Sequence, residues 1–187
     1  MRRWELKIMV LLFVFTAVCF SYNEIIWNQN ISLDWNDFSH KPQNDYYAAL
    51  TASGISYSYT IKETSCDIEI FAVFDRDESW VNYEKATEML LEHEQLHFDI
   101  TEVWARKLRK SVLEATYIDN QVLDELYEEH LMGLIIMQAF YDEESHHSLH
   151  RNEQIVWEKR IQIELEKLKE YTEPMITRSY HIIVQGR

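Results

Sequence analysis

From residue 55 to residue 132 the chain contains neither glycine nor proline, and all 187 residues hold only three Gly and two Pro. Gly and Pro are the residues that break helices and make sharp turns, so such a chain must be built from long regular elements with few tight turns. Within that stretch the pattern changes once. Residues 47–61 are rich in Tyr, Thr, Ser and Ile, with Gly54 as a bulge or turn, and residues 68–74 alternate before becoming more apolar. Residues 31–35 also alternate. These segments read as three or four antiparallel strands, with residues 41–45 as a loop.

From about residue 79 the apolar period becomes helical. Ala86, Leu90, His93, His97, Ile100, Trp104 and Leu108 form one stripe, which predicts a helix to about residue 115. A second stripe, Val122, Leu126, His130, Leu134, Met137 and Tyr141, predicts a helix over 122–140. A third, Trp157, Ile161, Leu165 and Leu168, predicts one over 152–171, after a polar linker at 142–150. Residues 180–184 could add a last short strand. Strands first and helices later imply an α+β domain, an N-terminal antiparallel sheet packed against three helices. With 47% apolar residues the chain suits one globular domain, over residues 22–187.

Residues 1–21 read differently. Arg2, Arg3 and Lys7 precede an apolar run at 8–20 that is too short to span a bilayer and has the proportions of a secretory leader. This predicts a secreted or periplasmic protein without a transmembrane helix in the mature chain. The competing reading, a lipoprotein anchored at Cys19, has a poor surrounding sequence. Cys66 is then the only mature thiol, so no internal disulfide forms. The net charge of −14 becomes −16 once three basic residues and one acid leave with the leader. So acidic a surface argues against nucleic acid as a partner.

On the first helix lies His93-Glu94-Gln95-Leu96-His97. Residues i and i+4 share a helix face, so both imidazoles can grip one Zn2+, while Glu94 can act as proton acceptor for a water there. A catalytic zinc takes three protein ligands. Asp99 and Glu102 point away from the two histidines at about 100° per residue, which leaves them for helix-surface pairing such as Glu102 with Arg106. Ile100 and Val103 exclude the elongated motif with a third histidine on the same segment. Two regions compete to supply the third ligand. His130 lies in an apolar stripe and reads as a core histidine. Residues 142–150, with Asp142, His146, His147 and His150, carry more donors, and Asp142 is both the best partner for a ligand histidine and the rival ligand.

The chain resembles a bacterial family of secreted proteins described as predicted zinc-dependent proteases. The resemblance rests on segments 33–38 and 48–57, on His93–Asp99 within 91–106, and on Tyr141-Asp142-Glu143-Glu144-Ser145-His146-His147. In the family the later motif resembles Tyr-Asp-x-x-Thr-x-His-Gly, so the resemblance implies His147 as third ligand, with Ser145 replacing Thr and Ser148 replacing Gly. It also implies a peptidase acting on a peptide or protein substrate, cell-wall peptides included. Tyr141 is the candidate donor to the oxyanion. The rival reading is a non-catalytic envelope domain with a structural zinc or no metal.

Overall fold

The computed structural model describes residues 23–39 and 47–179. The leader read at 1–21, the loop at 41–45 and the tail strand at 180–184 lie outside the described residues.

The architecture is α+β, with the strands before the helices and a last strand returning to the sheet. β4 (Ser65–Asp75) is the sheet's spine. It alternates as its sequence does: Cys66, Ile68, Ile70, Ala72 and Phe74 are buried while their neighbours are not. β3 (Ser53–Ile61) pairs along one edge, from Ser53↔Phe74 to Ile61↔Cys66. The other edge is shared. β1 (Glu24–Ile26) takes the end near Asp75, and β6 (Met175–Ser179) takes residues 65–69. All these pairings are antiparallel. β2 (Ala49–Leu50) and β5 (Trp80–Val81) form a separate antiparallel ribbon.

The expected first helix begins later than its stripe suggests. Trp80 and Val81 pair with Leu50 and Ala49, and Asn82 caps a 3-10 turn at Tyr83–Lys85. Thr87 then caps α1 (Glu88–Glu114), its side-chain oxygen accepting from Leu90 N at 3.1 Å. Residues 31–35 are likewise no strand. Asp34 and Asp37 form a reciprocal cap around a 3-10 turn at Trp35–Asp37, which uses the backbone groups a ladder would need.

α1 packs against β3, β4, α2 (Asn120–Ser145) and α3 (Arg151–Lys167). Covered on several sides, it buries Glu94, Glu102, Arg106 and Arg109 as well as its apolar stripe. The expected surface pairing of Glu102 with Arg106 therefore exists, but in the interior. The close approach of α1 and α2 has a local cause: a Cβ on Gly133 would collide with the Trp104 indole. α2 also runs beyond its predicted end at residue 140, so Asp142 and Ser145 are helical rather than part of a linker.

Candidate metal centre

α1 places His93 and His97 one turn apart with their rings edge to face, centroids 4.7 Å apart. Their Nε2 atoms lie 3.2 Å from each other. From α2, Asp142 brings Oδ1 to 3.1 Å from His93 Nε2 and 3.0 Å from His97 Nε2. The triangle is supported from behind. The Tyr141 ring stacks on His93 at 4.5 Å and meets His97 edge-on at 5.0 Å. Ser145 Oγ lies 3.5 Å from His93 Nδ1, and Gln138 Oε1 contacts His97 Nδ1.

Three donor atoms so placed can hold a metal ion. Zinc at about 2.0–2.2 Å from tetrahedral ligands keeps its donors about 3.3–3.6 Å apart, close to the spacing here. Two imidazole nitrogens and a carboxylate oxygen also form a donor set that suits zinc among other divalent ions.

Electrostatics matches the packing. Burial pushes His93 below the ordinary histidine value, with the Asp142 hydrogen bond only partly opposing. Burial opposes charge on His97 too, but the Asp142 carboxylate, Glu94 and Gln138 together raise it. Burial also works against the Asp142 carboxylate, yet the hydrogen bonds from the two histidines hold its value well below the usual range.

The triangle forms part of the wall of a cavity of about 700 Å³. Glu94, 3% exposed, lines the same cavity beside the histidines. Leu50, Met89, Leu90 and Leu149 give it apolar wall, and β2 runs along it.

The other expected site residues divide. His147 lies outside the three-donor group. Its side chain is 52% exposed, with Nδ1 3.3 Å from Asp142 Oδ1 and its ring edge-on to Tyr47. Asp142, not His147, is the group the structure brings to the histidines, because the continuation of α2 turns it toward α1. The chain then leaves through three left-handed residues, His146, His147 and Ser148, with φ of 50°, 50° and 71°. Ser148 stands where the resembling motif has glycine, the residue for which such a φ costs nothing. Tyr141 does not line the cavity. Its hydroxyl is buried and finds no hydrogen-bond partner among the described residues. His130 is a satisfied core histidine, bonded to Leu126 O at 2.7 Å and Ser111 Oγ at 3.1 Å. Gln138 was not expected, and Ser145 was named only as the residue that replaces Thr in the resembling motif. Their signal is spacing: Gln138 precedes Asp142, and Tyr141 precedes Ser145, by one helical turn.

Neither a scan against protein-family models nor searches of curated proteins and of solved structures returned a match.

Proposed function

We propose that the chain is a zinc-dependent hydrolase of peptide bonds, with His93, His97 and Asp142 as the metal ligands and Glu94 as the proton acceptor. The observation that carries this reading is the placement of three converging donors and a buried glutamate on one open cavity. A purely structural zinc has its four positions filled by protein ligands, whereas three ligands facing a cavity are the pattern of a catalytic site. Bound zinc would supply a Lewis acid and lower the pKa of water to about 7.

The chain's own groups supply the rest. Glu94 takes the proton released as water adds to the scissile carbonyl and returns it to the leaving nitrogen. Its burial beside the histidines holds it on the same cavity wall without a long flexible reach. His147, whose Nδ1 lies 3.3 Å from Asp142 Oδ1, orients that carboxylate, which exchanges the roles suggested by the resemblance. Leu50, Met89, Leu90 and Leu149 offer apolar wall to substrate side chains. The leader-like residues 1–21 support action in the cell envelope, on protein or cell-wall peptides. Among the described residues no helix is long and apolar enough to cross a membrane.

The test combines elemental analysis with cleavage of a mixed fluorogenic peptide library. Wild-type protein should retain about one zinc per chain. Glu94→Gln should keep the zinc and lose at least about 10²-fold in cleavage. Protein that takes up no zinc at neutral pH, or a Glu94→Gln protein that cleaves like wild type, would end this reading.

A further inference from the structure

The turn between α2 and α3 inverts the usual placement of polar and apolar side chains. Ser148 is 5% exposed, whereas Leu149 beside it is 76% exposed. Backbone hydrogen bonds hold this arrangement: His147 N donates to Asp142 O at 3.0 Å, Leu149 N to His146 O at 3.2 Å and His150 N to Ser145 O at 2.9 Å. It is also strained. One left-handed residue is an ordinary way to end a helix, but His146, His147 and Ser148 are three in succession, with no glycine among them.

Leu149 does not offset that strain by packing. It precedes His150, the N-cap of α3, and from there an apolar side chain can pack on the fourth residue of the helix. That residue is Gln154, a fully buried amide that donates to Met89 O at 3.2 Å, and Leu149 stays in water. What Leu149 does line is the cavity of the metal triangle. Leu50, 40% exposed on β2, lines the same cavity, and Met89 and Leu90 add to its apolar wall. Two leucines from separate elements thus stand exposed at one cavity, and one of them is held there by a strained turn. Strain and exposed apolar surface both cost stability, and both are characteristic of places where a ligand binds.

We propose that Leu149, together with Leu50, is a specificity-determining residue that selects a large apolar side chain next to the scissile bond. The proposal deepens the hydrolase reading and rests on it. A Leu, Phe, Met or Ile side chain of the substrate would cover both leucines and remove apolar surface from water on each side of the contact. The substrate class is then a protein or peptide with apolar residues. Cell-wall stem peptides, built of alanine, glutamate and a diamino acid, offer no such side chain.

The experiment uses the zinc-loaded full chain and a peptide library varied at every position, with the cleaved bonds located by mass spectrometry. Wild type should cut beside Leu, Phe, Met or Ile at least about tenfold faster in kcat/KM than beside Ala or Gly. Leu149→Ser should lose about tenfold at the large apolar sites, mainly through KM, and nothing at the small ones. Leu50→Ser should act in the same direction, and Leu149→Glu should move the preference toward Lys and Arg. Zinc content and Tm of Leu149→Ser should match wild type, because the side chain it removes is exposed. A wild type indifferent to side-chain size, a Leu149→Ser protein with the wild-type preference, or faster cleavage of an alanine–glutamate–diaminopimelate stem peptide overturns the proposal. So does a Tm lowered by more than about 4 °C in Leu149→Ser, which would make the leucine a packing residue. If wild type cleaves nothing, the hydrolase reading falls and titration with acetyl-Leu-Leu-amide decides the rest. Methyl shifts at Leu50 and Leu149 would keep the apolar binding role, and their absence would end it as well.

Discussion

α1 carries two buried polar clusters, one after the other, and they are opposites. At Glu102 the charges are paired. Its Oε1 accepts from Arg106 Nε at 2.8 Å and from Arg109 Nη1 at 2.9 Å. The remaining guanidinium donors reach Ile70 O, Leu165 O, Tyr171 O and Thr172 O. Donors meet acceptors throughout, and the network ties α1 to β4, to α3 and to the turn before β6. One turn and more toward the N-terminus, His93, His97 and Asp142 bring two imidazole nitrogens and a carboxylate oxygen within 3.0–3.2 Å of one another. His93, His97 and Glu102 are all buried and ionisable, so burial of α1's polar residues does not distinguish a site from a clamp. The kind of partner does: in the first cluster a carboxylate meets guanidinium donors, whereas the second converges two imidazole nitrogens and a carboxylate oxygen that could hold a metal ion.

The strongest way to break this contrast is Glu102→Ala. It leaves two buried guanidiniums without their carboxylate, which costs about 3–5 kcal/mol. For a domain of this size that lowers Tm by about 6–20 °C, read by thermal melting. Zinc affinity of the folded fraction should stay close to wild type. A Tm unchanged by the substitution would mean that the Glu102 cluster is no clamp.

Asp142→Ala is the converse experiment. It removes one of three donors and should weaken zinc binding by at least about 10²-fold, whereas His147→Ala should cost about tenfold, as for a residue that orients a ligand. The reverse ranking would return His147 to the ligand set. Protons should compete with the metal. His97 is raised above the ordinary histidine value of about 6.5, so it takes up its proton at higher pH than a free histidine does, and zinc affinity should fall as pH drops from about 8 to about 6. Isothermal titration across that range would show it, and an affinity independent of pH would count against His97 as a ligand.

Metal removal gives a comparable effect on stability. Zinc at 100 times its Kd should add about 2.7 kcal/mol, or about 5–11 °C in Tm. A chelator should take that increment away and leave the helical circular dichroism intact, because the core around Ile68, Ile70, Phe98 and Ile100 does not pass through the triangle. Unfolding on chelation would make the centre a structural staple.

The contrast also explains what could be read from the residues alone. The alternation of β4 and the stripe on α1 are local periodicities, and both survive in the structure because each element buries one face against the other. The histidine pair and Glu94 were legible for the same reason, since i and i+4 lie within one helix. Asp142 was harder. Residues 142–144 are charged and lack an apolar period, so they resemble a linker, although Tyr141 and Ser145, both fully buried, continue the stripe of α2 for another turn. Ending the helix at residue 140 hides the geometry that brings Asp142 to the histidines, and His147 was singled out by the resemblance, not by the helix. Residues 31–35 failed in the opposite direction: alternation is real there, but the Asp34 and Asp37 caps claim the backbone. The Glu102 clamp was out of reach because its carbonyl partners come from β4, α3 and the turn before β6, up to 63 positions away from Arg109. A helical stripe describes one face and says nothing of neighbours that cover the others.

The smallest effect falls beside the histidines, at the buried Tyr141 hydroxyl. Tyr141 presents its ring to His93 and His97, while its oxygen is buried without a partner among the described residues. Burial, and then the nearby charges of Glu94, Glu158 and Asp142, raise its pKa, so the hydroxyl stays neutral at any working pH. Tyr141→Phe keeps the stacked ring and removes only the unpaired oxygen. An unsatisfied buried polar group carries a desolvation penalty, so the variant should be more stable by about 1 kcal/mol, with Tm higher by about 2–4 °C. Zinc affinity and peptide cleavage should be unchanged. If the hydroxyl instead served as oxyanion donor, cleavage would fall by about 10²–10³-fold with zinc still bound. Measured side by side with Glu94→Gln, such a loss would move the boundary of the site past the stacked ring and assign the unpaired oxygen to the reaction.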